Sequence, residues 1–133
     1  PTAAGSPGRD TPPPPQVAPN SPFTNLRLAH AITDDHQPER TGTVFAPGPE
    51  PVYLFFDYAG IQPGTPWGHR WLDDGRVLED VPETWPEEYG RYGTAWVFFG
   101  PAGGYQPGTY RVILLVNSRP VSTATFVIAP GGE

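Results

Sequence analysis

The spacing of proline and glycine constrains the fold of this chain more than any other sequence feature. The 133 residues include 20 prolines and 16 glycines, and no stretch of ten residues combines helical spacing with freedom from both. Proline removes a backbone donor and glycine lowers helix propensity, so long helices are disfavoured. The sequence therefore predicts short strands that are joined by turns.

Proline is also unevenly distributed. Eight prolines lie in residues 1–22, which contain no aromatic side chain, whereas the remaining 111 residues hold all 17 Phe, Trp and Tyr residues. We interpret 1–22 as a Pro-rich arm or linker, 23–129 as one folded domain and 130–133 as a C-terminal tail. Because proline lacks an N–H, we expect the arm to be unsuited to joining a sheet edge. Polyproline II conformation is expected at Pro12, Pro13, Pro14 and Pro15.

Candidate strands follow at short intervals from Phe23 onward. Two turn signals, Asp73-Asp74-Gly75 and Asn117-Ser118, stand between apolar runs and predict hairpins. This pattern predicts an all-β, antiparallel β-sandwich of about 7–8 strands behind the extended arm. The candidate strands cover residues 26–32, 43–46, 52–58, 67–72, 76–81, 93–99, 109–116 and 121–128.

The composition excludes several classes of chemistry. The chain has no Cys and no Lys, which removes disulfides, thiol catalysis, cysteine-held metal clusters and Schiff bases. A net charge of −6 disfavours a nucleic-acid partner, whose binders carry a basic face. The longest fully apolar runs have five residues, so we also expect no membrane insertion by a helix.

Half of the acidic residues lie close together in the sequence. Solvated carboxylates are the default interpretation, and the alternatives are a hard-cation site or the carboxylate pair of a glycoside hydrolase. His30, His36 and His69 lack metal-ligand spacing, and no Gly-x-Ser-x-Gly motif occurs. We therefore expect a non-enzymatic protein without metal or cofactor. The acidic residues concerned are Asp73, Asp74, Glu79, Asp80, Glu83, Glu87 and Glu88.

The aromatic residues divide into two sets. Apolar patterning predicts a core that contains Trp71, Tyr53, Phe55, Phe56, Phe98, Phe99 and Phe126. A second set lies in or beside loops, where a small domain cannot bury every ring, so these residues predict an exposed interaction surface. The alternative is that the loop folds its rings back onto the domain. This set comprises Trp85, Tyr89, Tyr92, Trp96 and Tyr105.

One segment carries a family resemblance. The run Gln106-Pro107-Gly108-Thr109-Tyr110-Arg111-Val112 and the hairpin after it resemble the C-terminal strand pair of immunoglobulin-like and fibronectin type III-like sandwiches. The whole layout is similar to bacterial cell-surface modules of this kind. The resemblance implies that the Tyr110 hydroxyl ties back to upstream backbone, and that Trp71 corresponds to the tryptophan of the third strand.

Two functional hypotheses follow. In the first, the chain is an extracellular or cell-surface structural subunit that polymerises head-to-tail, with arm residues Pro12–Pro15 and Val17 packing on the aromatic surface of the next copy. In the second, the domain is an accessory module of a larger surface protein and binds a glycan or peptide by aromatic stacking. Both hypotheses require exposed aromatic side chains and an extended arm.

Overall fold

The computed structural model describes residues 15–35 and 37–129. Within these ranges there is no α-helix, and hence none long and apolar enough to cross a membrane. Ten strands and one 3-10 turn are present. They are β1 (Gln16–Val17), β2 (Phe23–Ile32), β3 (Pro38–Thr41), β4 (Val44–Phe45), β5 (Val52–Ala59), β6 (Pro66–Asp73), β7 (Arg76–Thr84), the 3-10 turn Glu87–Tyr89, β8 (Tyr92–Phe99), β9 (Gly108–Val116) and β10 (Arg119–Ile128).

The strands form two sheets. The larger has the order β1–β10–β9–β6–β7, and the smaller has the order β3–β2–β5–β8. In addition, β4 pairs with β10 and runs parallel to it, whereas all the other pairings are antiparallel. The predicted all-β class with antiparallel sheets is confirmed, and every candidate strand range overlaps a strand. The short strands β1 and β3 were not predicted.

The inner faces of the two sheets share one apolar core. Alternate side chains of β5, namely Val52, Leu54 and Phe56, point into it, as expected for a strand with period two. The ring of Trp71 in the larger sheet lies 5.6 Å from that of Phe99 in the smaller sheet. The prediction that Trp71 belongs to the core is confirmed.

Both predicted hairpins are present. Asp74 and Gly75 join β6 to β7 with φ angles of 50° and 90°. Asn117 and Ser118 join β9 to β10 with φ angles of 52° and 69°. Two successive positive φ angles match the right-handed twist of the flanking strands, which is why Asp-Gly and Asn-containing pairs predict such turns.

Tyr110 in β9 is buried and ties its strand to the preceding loop. Its Oη donates a hydrogen bond to the carbonyl of Gln106 at 2.7 Å, and its ring stacks on Phe126 at 5.4 Å. The hydrogen bond to upstream backbone that the resemblance implied is therefore formed. Burial raises the pKa of the Tyr110 hydroxyl, so it remains a donor at neutral pH.

The arm requires a correction at its C-terminal end. Pro12, Pro13 and Pro14 lie outside the described residues, as does the predicted tail 130–133, and Pro15 is exposed. The next two residues form β1, which pairs with the side of β10 opposite β9, in the registers Gln16↔Thr123 and Val17↔Ser122. The prediction that the arm does not join a sheet edge is wrong here, because residues 16–18 are not proline and retain their backbone donors.

Candidate functional site

Two of the five aromatic residues that were predicted at the surface are buried. Trp85 and Tyr105 are each 1% exposed, so their assignment to an exposed interaction surface is wrong. The Tyr105 hydroxyl donates to the carbonyl of Phe99 at 2.7 Å, which satisfies its polar atom inside the core. Burial raises the pKa of this hydroxyl.

Trp85 is buried because the loop between β7 and β8 folds back onto the domain. Its Nε1 donates to the carbonyl of Gly90 at 3.2 Å, and its ring packs edge-on against Tyr58 at 4.6 Å. The Tyr58 hydroxyl in turn donates to the carbonyl of Tyr89. Trp85 and Tyr58 therefore both donate hydrogen bonds to the backbone of the loop. For Trp85 this agrees with the alternative interpretation, in which the loop folds its rings back onto the domain.

The other three predicted residues do reach the surface. Tyr92 is 74% exposed and Tyr89 is 46% exposed, and Trp96 is partly exposed on the outer face of β8, where its ring lies 5.8 Å from Phe55. Tyr89 and Tyr92 lie at the N-terminal side of β8, and Trp96 lies further along the same strand. The exposed part of the predicted surface therefore follows one strand.

Phe98 was predicted in the core and is instead 58% exposed. Along β8, Ala95 and Val97 point inward, so Trp96 and Phe98 occupy the outer face. The ring of Phe98 lies 5.4 Å from Tyr53 on the neighbouring strand. The alternation of small and aromatic residues along β8 was the signal that could have identified this exposed ring.

A cleft of about 400 Å³ lies between β7 and β8, the outermost strands of the two sheets on that side. We call it the β7–β8 cleft. Its volume falls within the range of ligand-binding clefts. The side chains and backbone that line it include His69, Glu79, Val81, Glu83, Trp96 and Phe98. Sequence reasoning did not assign His69 to any site, because its neighbours in the cleft come from other strands.

The protonation state of His69 follows from its contacts. Trp71 Nε1, which can only donate, lies 3.0 Å from His69 Nδ1, so Nδ1 accepts and the neutral ring carries its proton on Nε2. That nitrogen lies 3.4 Å from Glu83 Oε2. Burial lowers the pKa of His69 below its usual value, against the opposing effect of Glu83, Glu79 and Asp80. At neutral pH His69 is therefore an uncharged donor toward Glu83.

The predicted acidic cluster does not converge on one point. Asp73 pairs with Arg76 at 3.4 Å, Asp80 pairs with Arg70 at 3.3 Å, and Glu83 faces His69. Among residues 15–35 and 37–129, no three His, Asp or Glu side chains are placed to hold a metal ion. Glu79 and Glu83 are four residues apart along β7, which separates their Cα atoms by about 13 Å.

A second depression, of about 240 Å³, lies beside the first. It is lined by Tyr58, Tyr89, Thr94, Ala95 and Trp96. Trp96 therefore borders both depressions and connects them along β8. In comparisons with known proteins, the chain matches no protein-family model and no curated protein sequence.

Proposed function

We propose that the chain is a non-enzymatic structural subunit of the extracellular or cell-surface environment, which self-assembles head-to-tail into a filament. In this proposal the domain is an immunoglobulin-like sandwich of bacterial cell-surface type. The N-terminal arm of one copy packs on the β8 side of the next. No cofactor or metal takes part.

The position of the arm relative to the cleft carries this proposal. The arm enters the domain through β1 at one edge of the larger sheet, and β7 forms the opposite edge. Four strand spacings of about 4.8 Å separate these edges, or roughly 19 Å. A contact between two different surfaces of identical copies is heterologous, and such contacts propagate as a fibre unless they close into a ring.

The order of the strands supports the immunoglobulin-like part of the proposal. In such sandwiches the sixth strand lies between the third and the seventh in one sheet, and the second strand lies between the first and the fifth in the other. Here β10, β9, β6 and β7 are neighbours in one sheet, and β2, β5 and β8 in the other. The hydrogen bond from Tyr110 to Gln106 supports the same proposal.

Deletion of residues 1–14 tests the assembly. This boundary spares β1, which pairs with β10, and Ser21, whose Oγ lies 2.8 Å from that of Ser122. We expect the full chain to form filaments in electron micrographs and the deletion variant to remain monomeric by light scattering, with an unchanged thermal unfolding transition. Removal of residues 130–133 is the control and should leave filaments intact. Filaments of the deletion variant, or a full chain that stays monomeric at every concentration, would contradict the proposal.

The β7–β8 cleft favours a second candidate function, an accessory module that binds a glycan or peptide. Aromatic rings beside carboxylate acceptors suit the apolar faces and hydroxyls of a sugar. Titration of intrinsic fluorescence with a panel of oligosaccharides tests this function. Binding should change the emission of Trp96, and Trp96→Phe should remove most of that change. A flat response across the panel would count against it.

A further inference from the structure

The free edges of the two sheets differ in how they are protected. At β10 the edge is covered by β1 and β4, and β3 is only four residues long. The exposed strand β7 carries Glu79, Asp80, Pro82 and Glu83, which are residues that discourage pairing with another strand. In contrast, β8 pairs only with β5 among the described residues and has no charged residue between Tyr92 and Phe99. Among the sheet edges of the described residues, this one carries none of these protections.

The lining of the β7–β8 cleft shows which part of β8 faces it. Strand β8 and the residue after it contribute five consecutive residues, 96–100, so the strand presents its edge to the cleft. Strand β7 contributes alternate residues, Glu79, Val81 and Glu83, so it presents one face. These three residues pair in register with Trp71, His69 and Trp67, whose rings are all buried, the two tryptophans in the core between the sheets. Strand β7 therefore overhangs the space beside β8.

We infer that the β7–β8 cleft accepts an extended strand from a second copy of this chain, and that residues 2–11 of the arm supply it. The added strand hydrogen-bonds to the free edge of β8 and extends the smaller sheet by one strand. Its inward side chains face Glu79, Val81 and Glu83 on β7. This inference rests on the proposed function and names the docking site that the filament uses.

The composition of the arm favours residues 2–11 as the occupant. They contain a single proline, Pro7, whereas residues 12–15 are all proline and lack the donors that a strand needs. An added strand is itself an edge, where one proline is tolerated with its nitrogen toward solvent. Pro12–Pro15 then act as a stiff connector of about 12 Å between the added strand and β1 of the donor copy.

Charge complementarity gives the same assignment. Arg9 is the only basic side chain in residues 1–14. The β7 side of the cleft carries Glu79 and Glu83, and no Arg is among the described residues that line it. Successive side chains of a strand point to opposite faces, so Arg9 can face the glutamates while Asp10 points to solvent. The pairing places the one cation of the arm opposite the acidic strand of a chain whose net charge is −6.

Charge reversal in the full chain tests the inference. We expect Arg9→Glu to weaken association about tenfold at low salt, and Glu79→Arg with Glu83→Arg to weaken it by a similar factor. Combining all three substitutions should restore most of the association, because the charges are again opposite. Matched controls are Glu87→Arg with Glu88→Arg in the 3-10 turn, and Arg119→Glu on β10. These variants should leave the association constant within a factor of two of the parent value. Analytical ultracentrifugation over a concentration series gives the association constants.

Hydrogen exchange provides an independent measurement of strand addition. In the assembled state, the amides of residues 93–99 that point to the free edge should become protected at least tenfold relative to a dilute monomer. Filaments that form without protection in β8, or without sensitivity to Arg9→Glu, would overturn this docking site and leave the proposed function standing. Protection of β8 in a chain that is monomeric at every concentration would mean that each arm occupies its own cleft. That result would overturn both the docking site between copies and the proposed function.

Discussion

Trp71 donates its indole proton to Nδ1 of His69 at 3.0 Å, and this single contact fixes the tautomer of a histidine that faces the β7–β8 cleft. The donor cannot reverse its role, so protonation of His69 at Nδ1 would break the hydrogen bond. Burial acts in the same direction by lowering the pKa of His69. The hydrogen bond from the buried ring of Trp71 thus favours the neutral form of His69 in the cleft.

The first prediction concerns the pH dependence of stability. His69 in the unfolded chain binds a proton near pH 6.5, whereas in the folded chain its pKa is lower, so the unfolded state binds more protons as the pH falls below 6.5. The free energy of unfolding should therefore decrease on acidification, with a slope of at most about 1.4 kcal/mol per pH unit from this group. Urea unfolding between pH 7 and pH 5 measures the slope, and His69→Asn should flatten it. An equal slope in the variant would show that His69 is not responsible.

The second prediction concerns Asp57, which joins three strands on the outer face of the smaller sheet. Its carboxylate accepts hydrogen bonds from Asn25 Nδ2 at 2.9 Å, Thr94 Oγ1 at 2.8 Å and Arg27 Nη2 at 3.3 Å. Burial alone raises the pKa of Asp57, but these bonds outweigh it and hold the pKa below the usual 3.8.

We expect Asp57→Ala to lower the free energy of unfolding by about 1 kcal/mol at neutral pH, since the side chain is partly exposed. Because the folded pKa is lowered, the stabilisation by Asp57 is present above pH 3.8 and disappears as the pH falls through the folded pKa, where variant and parent should converge. Asp34→Ala, at an exposed turn, is the control and should change little. Chemical denaturation at pH 7 and at a series of pH values below 3.8 compares them.

The third prediction concerns Gly68 in β6. A Cβ at this position would lie 2.6 Å from the carbonyl oxygen of Val81, which is backbone and cannot rotate away. Gly68→Ala should therefore force β6 and β7 apart and destabilise the fold by about 1–3 kcal/mol. At Gly100 a Cβ would meet its nearest atom at 3.5 Å, an ordinary contact, so Gly100→Ala serves as the control. Equal melting temperatures for the two variants would be evidence against this close approach.

The fourth prediction separates the buried aromatics of the β7–β8 loop from the exposed ones. Trp85→Ala removes a fully buried ring and the hydrogen bond to Gly90, so it should cost about 3–5 kcal/mol. Tyr92→Ala, at a ring that is mostly exposed, should change stability by no more than about 0.5 kcal/mol. Thermal unfolding of the two variants checks the contrast, and similar costs would mean that the loop does not fold back as described.

Local signals in the sequence predicted most of the strands and both tight hairpins. Asp74-Gly75 and Asn117-Ser118 identify their turns because the required φ angles are positive, which is a property of the turn residues themselves. The period-two pattern of β5 depends only on which side of one strand is buried. These features need no knowledge of distant residues.

The errors arose where distant contacts decide the outcome. The prolines and glycines around Trp85 correctly predicted a loop, but its burial depends on Tyr58 and on the carbonyl of Gly90. Phe98 was predicted in the core from a purely apolar run, in which Ala95 and Val97, the smaller residues, occupy the inner face. The pairing of Gln16 and Val17 with β10 rests on two residues, too few to give a periodic signal.

The weak attachment of β1 has a mechanical consequence. A pulling force on the arm first loads the pairing of Gln16 and Val17 with β10, together with the hydrogen bond from Ala18 N to the Val121 carbonyl at 2.8 Å. Only when these bonds and the contact of Ser21 with Ser122 have released does tension reach β2. Detachment of residues 15–22 from the sheet releases a segment that is about 27 Å long when fully extended. Each domain thus carries a short extensible tether that yields before its core is strained.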